Sequence, residues 1–273
     1  MRVAYLGPPG TFSEEAVARC TLVDGFERAD FPSIPEVFEA LARGEAEHAL
    51  LPIENSLEGS IAATLDLLVH RPGFRIRAEV LLPVRQNLLA NAGATLADIR
   101  KVLSHPQPLG QCAGWLRANL PGVPLEATLS TADAARQAVG KRDHAAIGAR
   151  ASAARYGLEI LEEDIQDGDE NVTRFVLLGR EDGKPTGRDR TSIAFTLDRD
   201  RPGGLYEVIG EFARRQINLS KIESRPNKRA LGHYVFYIDF EGHRSEPRCA
   251  EALAGVLERV HALHLLGSYA RAA

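Results

Sequence analysis

Six short apolar segments alternate with helical patterns through the first 180 residues, and that alternation constrains the fold more than any other feature. The segments are 2–6 (RVAYL), 48–52 (HALLP), 74–84, 101–105 (KVLSH), 144–149 (HAAIGA) and 172–179 (VTRFVLLG). Strands that alternate with helices form mostly parallel sheet with helices on both faces. Capping chemistry marks the helix starts. Thr11 to Glu14 and Ser33 to Glu36 both fit S/T-x-x-E, where hydroxyl and carboxylate satisfy free N–H groups. Ser130 or Thr131 opens a helix reaching Ala138, and Gly44 ends the second helix. The 74–90 stretch has little helical period and reads as a crossing between two lobes. The expectation is a two-lobed α/β domain with a cleft.

Residues 181–190 (EDGKPTGRDR) hold no strongly apolar residue. Such a stretch buries too little surface to order itself and reads as a linker. The expected division is a large domain over 1–180, a linker over 181–190 and a small domain over 191–273. In the small domain Ile193, Phe195 and Leu197 alternate as on a half-buried strand. Leu205, Val208, Ile209 and Phe212 form one helix stripe, and Cys249, Leu253, Val256, Leu257 and Val260 a second. With strands at 217–225, 233–240 and 262–269, the order is β-α-β-β-α-β, the ferredoxin-like arrangement.

Composition removes several function classes. The 33 basic and 37 acidic residues leave a net charge of −4, against the basic balance of a general nucleic-acid binder. No apolar run approaches a membrane span, and the apolar start at residues 2–6 is too short for a signal peptide. Cys20, Cys112 and Cys249 lie far apart, which makes no disulfide framework and fits a reducing cytoplasm.

Three polar loops follow strands of the large domain. They are Gly7 to Ser13, Ile53 to Ser60 and His105 to Gln111, each entering a helix. Ligands in open α/β sheets sit at the carboxyl ends of strands, and helix N-termini favour anions. Each loop alone is ordinary turn chemistry: Asn55 fits an Asx-turn and Ser104 a helix cap. Three on one sheet edge point to a site for a small anion. No HExxH, GxSxG, Walker loop or GxGxxG is present, so neither a metal nor an organic cofactor is expected. The acidic run 162–170 reads as a solvated loop.

At these loops the chain resembles prephenate dehydratases of the short form without a fused chorismate mutase. The resemblance rests on GPPGTFSEEA (7–16), LPIENSLEGSI (51–61), SHPQPLGQC (104–112), Thr173-Arg174-Phe175 and the run Glu223 to Pro226. It implies conversion of prephenate to phenylpyruvate, water and carbon dioxide in phenylalanine biosynthesis, on a fold like a two-lobed periplasmic binding protein. It places the catalytic set on Thr173, Asn55, Gln111 and Ser104, with Thr11, Ser13, Arg174 and Phe175 as substrate contacts. Prephenate is a dianion, so donors are needed, and Arg174 carries a guanidinium suited to a carboxylate. The departing carbon dioxide leaves its electrons in a ring that becomes aromatic. The protein's task is then to hold the substrate and assist departure of the ring hydroxyl. Thr173 is an alcohol and a poor acid, so His105 stays open as the alternative donor.

The small domain resembles an ACT regulatory module. Its glycine motif reads Gly203-Gly204-Leu205-Tyr206, with Gly for the usual Ala and Tyr for the usual Val. The resemblance implies inhibition by phenylalanine, held between two chains by Gly204, Leu205, Asn218, Leu219, Glu223, Ser224 and Arg225. A homodimer or homotetramer through the ACT domains is the expected assembly. Two rivals remain at this point. Arogenate dehydratase performs the same chemistry on the amino acid, and a non-catalytic amino-acid sensor shares the architecture.

Overall fold

The computed structural model describes residues 1–168, 170–197, 201–228 and 233–272. Asp169, inside the acidic run, lies outside the described residues. The first part of the chain runs β1 (Arg2–Leu6), α1 (Phe12–Arg19), β2 (Glu27–Phe31), α2 (Ile34–Ala42), β3 (His48–Asn55), β4 (Gly59–Ser60), α3 (Ala62–His70) and β5 (Arg75–Pro83). It continues through β6 (Asn87–Ala90), β7 (Lys101–Ser104), α4 (Pro106–Gln111), α5 (Ala113–Asn119), β8 (Leu125–Ala127), α6 (Thr131–Ala138), β9 (His144–Gly148), α7 (Arg150–Tyr156), β10 (Glu159–Glu162) and β11 (Val172–Gly179).

Two sheets result, ordered β2-β1-β3-β11-β5 and β10-β6-β9-β7-β8. β1 is parallel to β2 and β3, and β7 is parallel to β8 and β9. The second sheet is mixed rather than mostly parallel, because β6 runs antiparallel to both β9 and β10. The apolar run Asn87–Ala90 is too short for periodicity to separate it from the 74–84 segment before it. The expected helices on both faces are present. Leu88, Val102, Ala145 and Ile147 face one core with Cys112 and Leu116, while their neighbours Leu89, Leu103 and Ala146 face another with Ala134, Ala135 and Ala138 of α6. That is the two-residue alternation of strands. Capping works as expected at α2 and α6, where Ser33 Oγ accepts from Glu36 N–H and Ser130 Oγ from Asp133 N–H. Gly44, at φ 75°, closes the turn after α2. Among the described residues no helix is long and apolar enough to cross a membrane.

The chain forms two compact units. One holds residues 1–61 and 80–175; the other holds 62–79 and 176–273. The second contains the β-α-β-β-α-β module: β12 (Asp189–Thr196), α8 (Gly204–Ala213), β13 (Leu219–Pro226), β14 (Tyr234–Glu241), α9 (Pro247–Leu257) and β15 (Ala262–Ala270). Its antiparallel sheet is ordered β13-β14-β12-β15, and Ile193, Phe195, Ile238 and Phe240 pack on Val208, Phe212, Cys249 and Val256.

Residues 62–79 belong to this unit because their backbone is built into it. Tyr237 Oη donates to Leu65 O at 3.4 Å. Gly267 meets Ile76 so closely that a Cβ there would lie 2.2 Å from its carbonyl oxygen. Glu79, buried, accepts from Arg190 Nη1 at 2.6 Å and from Ala272 N–H at 2.9 Å.

The expectation that 181–190 cannot order itself is corrected by the same unit. Gly183 N–H donates to Ser268 O, Asp182 accepts from Ser268 N–H, and Asp189 is buried on Thr186 and Gly187. Polar residues hold this segment through hydrogen bonds, which a measure of apolar content does not register.

Candidate active site

A cavity of about 340 Å³ opens in the first unit at the carboxyl ends of β1, β3 and β7 and at the start of β11. That size suits a small ligand. The turn after β1 requires glycine at its start, since a Cβ on Gly7 would lie 2.8 Å from the Asp30 side chain. Thr11 and Ser13 line the cavity from this turn. Thr11 is the N-cap of α1 without a side-chain cap bond, and Gly10 N–H is taken by the Glu14 carboxylate at 2.6 Å. One donor of the expected anion-binding turn is therefore already used.

Asn55 ends β3 and does two jobs at once. Its Oδ1 accepts from Leu57 and Glu58 N–H at 3.0 and 3.1 Å, an Asx-turn. That fixes the amide so its Nδ2 faces β11. There it donates to Asn171 Oδ1 at 2.7 Å and to Thr173 Oγ1 at 2.9 Å. Asn171 Nδ2 in turn donates to Gln111 Oε1 at 3.0 Å. A relay Thr173–Asn55–Asn171–Gln111 results, in which each amide is oriented by its neighbour. Gln111 Nε2 is buried with no partner among the described residues. Thr173 Oγ1 accepts from Asn55, so its own proton is free to be given away.

The structure brings together Thr173, Asn55, Gln111, Thr11 and Ser13 around this cavity. It does not bring Ser104, Arg174 or Phe175 there. Ser104 is fully buried and donates to Ile147 O at 2.8 Å, bonding β7 to β9. Arg174 follows Thr173 in the strand, so it points to the other face, where it meets Glu54 at 3.3 Å. Phe175 is buried in the core. The dianion site that Arg174 is expected to neutralise is instead lined by hydroxyls, amides and the N-termini of α1 and α6, with no Lys or Arg in the lining among the described residues. Helix N-termini supply partial positive charge without a cation.

Sequence reasoning missed Asn171, Gln86, Gln107 and, as cavity residues, Ser130 and Thr131. Asn171 had a readable signal: it precedes Thr173 by two residues, on the same face of the chain. His105, the alternative donor, also lines the cavity and caps α4, accepting from Gln107 N–H.

In the second unit the expected effector residues fall on two faces. Glu223 and Arg225 alternate with Ser224 along β13. Arg225 lies 3.2 Å from Glu223 and 3.7 Å from Asp66 of α3, whereas Gly204 and Leu205 open α8 on the opposite face of the sheet. Asn218 and Leu219 lead into the same strand; the Asn218 carbonyl accepts from Glu241 N–H.

Two expected outcomes follow from this geometry. Asn55→Asp keeps the Oδ1 acceptor of the turn but puts an acceptor where Thr173 needs a donor. It then competes for the threonine proton, and kcat should fall by about 100-fold with little loss of Tm, read by steady-state kinetics and calorimetry. The three cysteines are buried, and burial pushes the Cys112 thiol up to about 12. Alkylating reagents at pH 8 should therefore leave the native rate intact and label all three thiols only in denaturant.

Comparison with known proteins places the chain in a family. The prephenate dehydratase family profile matches residues 3–183, and the ACT domain profile matches 191–258. A prephenate dehydratase of Amycolatopsis methanolica is 43% identical over 275 residues, covering 99% of this chain and 89% of the relative. A prephenate dehydratase from Arthrobacter aurescens, solved in complex with L-Phe, superposes with a TM-score of 0.92 at 39% identity, covering 99% of this chain and 90% of that one. A chain described as GqqA, a novel type of quorum quenching acylase, superposes at 0.89 with 28% identity, covering 100% and 98%. By the match to its family profile and the near full-length relatives, this chain belongs to the prephenate dehydratase family and carries an ACT domain after the dehydratase region.

Proposed function

We propose that the chain converts prephenate to phenylpyruvate, water and carbon dioxide, and that L-phenylalanine inhibits it through the ACT domain. The observation that carries the reading is the Thr173 hydroxyl, held as an acceptor by Asn55 with its proton free, in a cavity of neutral donors. In the reaction the bond from the ring to the carboxylate breaks and its electron pair enters the ring. The ring carbon–oxygen bond breaks, its pair leaves with oxygen, and a proton completes water. Thr173 donates a hydrogen bond to that oxygen as negative charge develops on it. Gln111 Nε2 and the hydroxyls at the two helix N-termini hold the carboxylates and the ketone. Neutral donors suit a carboxylate that must leave as an uncharged molecule, since a tight ion pair would stabilise the ground state.

The keto acid is favoured over arogenate, because among the described residues no Asp or Glu lines the cavity to receive an ammonium. Acylase chemistry calls for a nucleophile paired with a base, whereas Thr173 is paired with an amide. Parallel assays with prephenate and arogenate test the reading. A higher kcat/KM for prephenate is expected; a preference for arogenate would overturn it.

The proposed division assigns catalysis to 1–180 and regulation to 191–273, with α3 and the start of β5 tied into the regulatory unit. The sheet has β13 and β15 at its edges, and Ile222 on β13 is exposed. Pairing of two chains along such an edge supports a homodimer or homotetramer. Three buried cysteines, none in a disulfide, support a cytoplasmic setting. Asn218→Ala should raise the phenylalanine concentration for half-inhibition by about 10-fold, equivalent to one lost ligand hydrogen bond. The rate without phenylalanine should stay unchanged. Inhibition curves at fixed prephenate measure both.

A further inference from the structure

Gln86 lies between β5 and β6, a position that neither the sequence motifs nor the relay above uses. Its backbone is fixed on both sides: its N–H donates to Gln166 Oε1 at 2.8 Å, and its carbonyl accepts from Ile165 N–H at 2.8 Å. Gln86 is among the residues that line the cavity, and only 2% of it is exposed. Its Oε1 has no hydrogen-bond partner, and it is the one oxygen among the described buried side-chain atoms left in that state. A buried amide oxygen without a donor is unfavourable, so a bound group is the natural source of one.

The substrate's chemistry says which group. Prephenate, on the reading given above, carries two carboxylates and a ketone, all acceptors. Its ring hydroxyl is its single hydrogen-bond donor. The rest of the cavity offers donors: Thr173, Gln111 Nε2 and the hydroxyls near α1 and α6. We infer that Gln86 Oε1 accepts the hydrogen bond of the ring hydroxyl and so turns the hydroxyl's lone pairs toward the Thr173 proton. As the carbon–oxygen bond breaks and a proton joins the oxygen, the departing group becomes water with two O–H donors. Turning the lone pairs toward the incoming proton assists the step in which the carbon–oxygen bond breaks, so the effect of Gln86 lies in kcat.

The test uses the full chain with Gln86→Met, which keeps the length and removes the polar atoms, and with Gln86→Glu, which keeps only the acceptor. Inhibition constants are measured for two unreactive substrate analogues, one with the ring hydroxyl and one with hydrogen in its place. For Gln86→Met, kcat should fall by about 10-fold or more with KM within about 3-fold, and the hydroxylated analogue should weaken by about 10-fold. The analogue without hydroxyl should bind as to wild type, which also shows that the variant is folded. Gln86→Glu should recover most of kcat while KM rises through repulsion of the carboxylates. Unchanged kcat in Gln86→Met, equal weakening of both analogues, or a kcat in Gln86→Glu no better than in Gln86→Met would each overturn the assignment. A wild-type chain that leaves prephenate unconverted would instead sink the proposed reaction itself.

Discussion

Thr173→Val should lower kcat by at least about 100-fold, the low end for general acid assistance and equivalent to ~2.7 kcal/mol of barrier. Valine keeps the β-branched shape in the strand and removes only the hydroxyl, which makes it a cleaner probe than alanine. KM should change little, because the bond strengthens as the oxygen leaves. Thr173→Ser should keep much of the rate, since the proton and the acceptor for Asn55 Nδ2 both survive. Initial rates across prephenate concentrations separate kcat from KM. A valine variant with near wild-type kcat would remove Thr173 as donor and point to His105, which lines the same cavity.

The second large effect is on stability. Glu79 has a side chain only 1% exposed, and Arg190 Nη1 lies 2.6 Å from it. Removing the arginine takes a close ion partner from a buried carboxylate, which typically costs about 3–5 kcal/mol. Arg190→Ala should therefore lower the Tm of the unit that contains both residues by roughly 6–15 °C, measured by scanning calorimetry. Replacing both partners, Glu79→Leu with Arg190→Met, should recover most of that loss, because no charge is then stranded. The same packing decides what a cut within 181–190 would do. Such a cut strips residues 62–79 of the strands they pack on, so the fragment should expose Leu65 and Ile76, both buried in the intact chain.

How much was readable depended on where each signal lay. The strands at 2–6 and 172–179 appear with the expected bounds because they are buried, apolar and flanked by turn residues. β2, β8 and β10 carry no such signal, and each is a sheet edge whose residues are largely exposed or only partly buried. An edge strand buries too little to carry an apolar pattern. In the site, Asn55, Gln111 and Thr173 were legible from motifs, but motif membership does not say where a side chain points. Ser104 shares a motif with Gln111 yet faces β9, and Arg174 adjoins Thr173 yet faces Glu54. Gln86, Ser130 and Thr131 reach the cavity by tertiary placement, and nothing in their local sequence distinguishes them from turn or cap residues. The grouping of residues 62–79 with the ACT module is likewise a matter of long-range packing.

The account rests on one conversion performed by the chain's own side chains. The most direct measurement follows purified, full-length protein, dialysed against a chelator, after addition of prephenate, with phenylpyruvate and carbon dioxide quantified together. The account predicts equal amounts of the two products, at a rate the chelator leaves unchanged. A failure to form phenylpyruvate, or a rate abolished by the chelator and restored by a divalent ion, would contradict it.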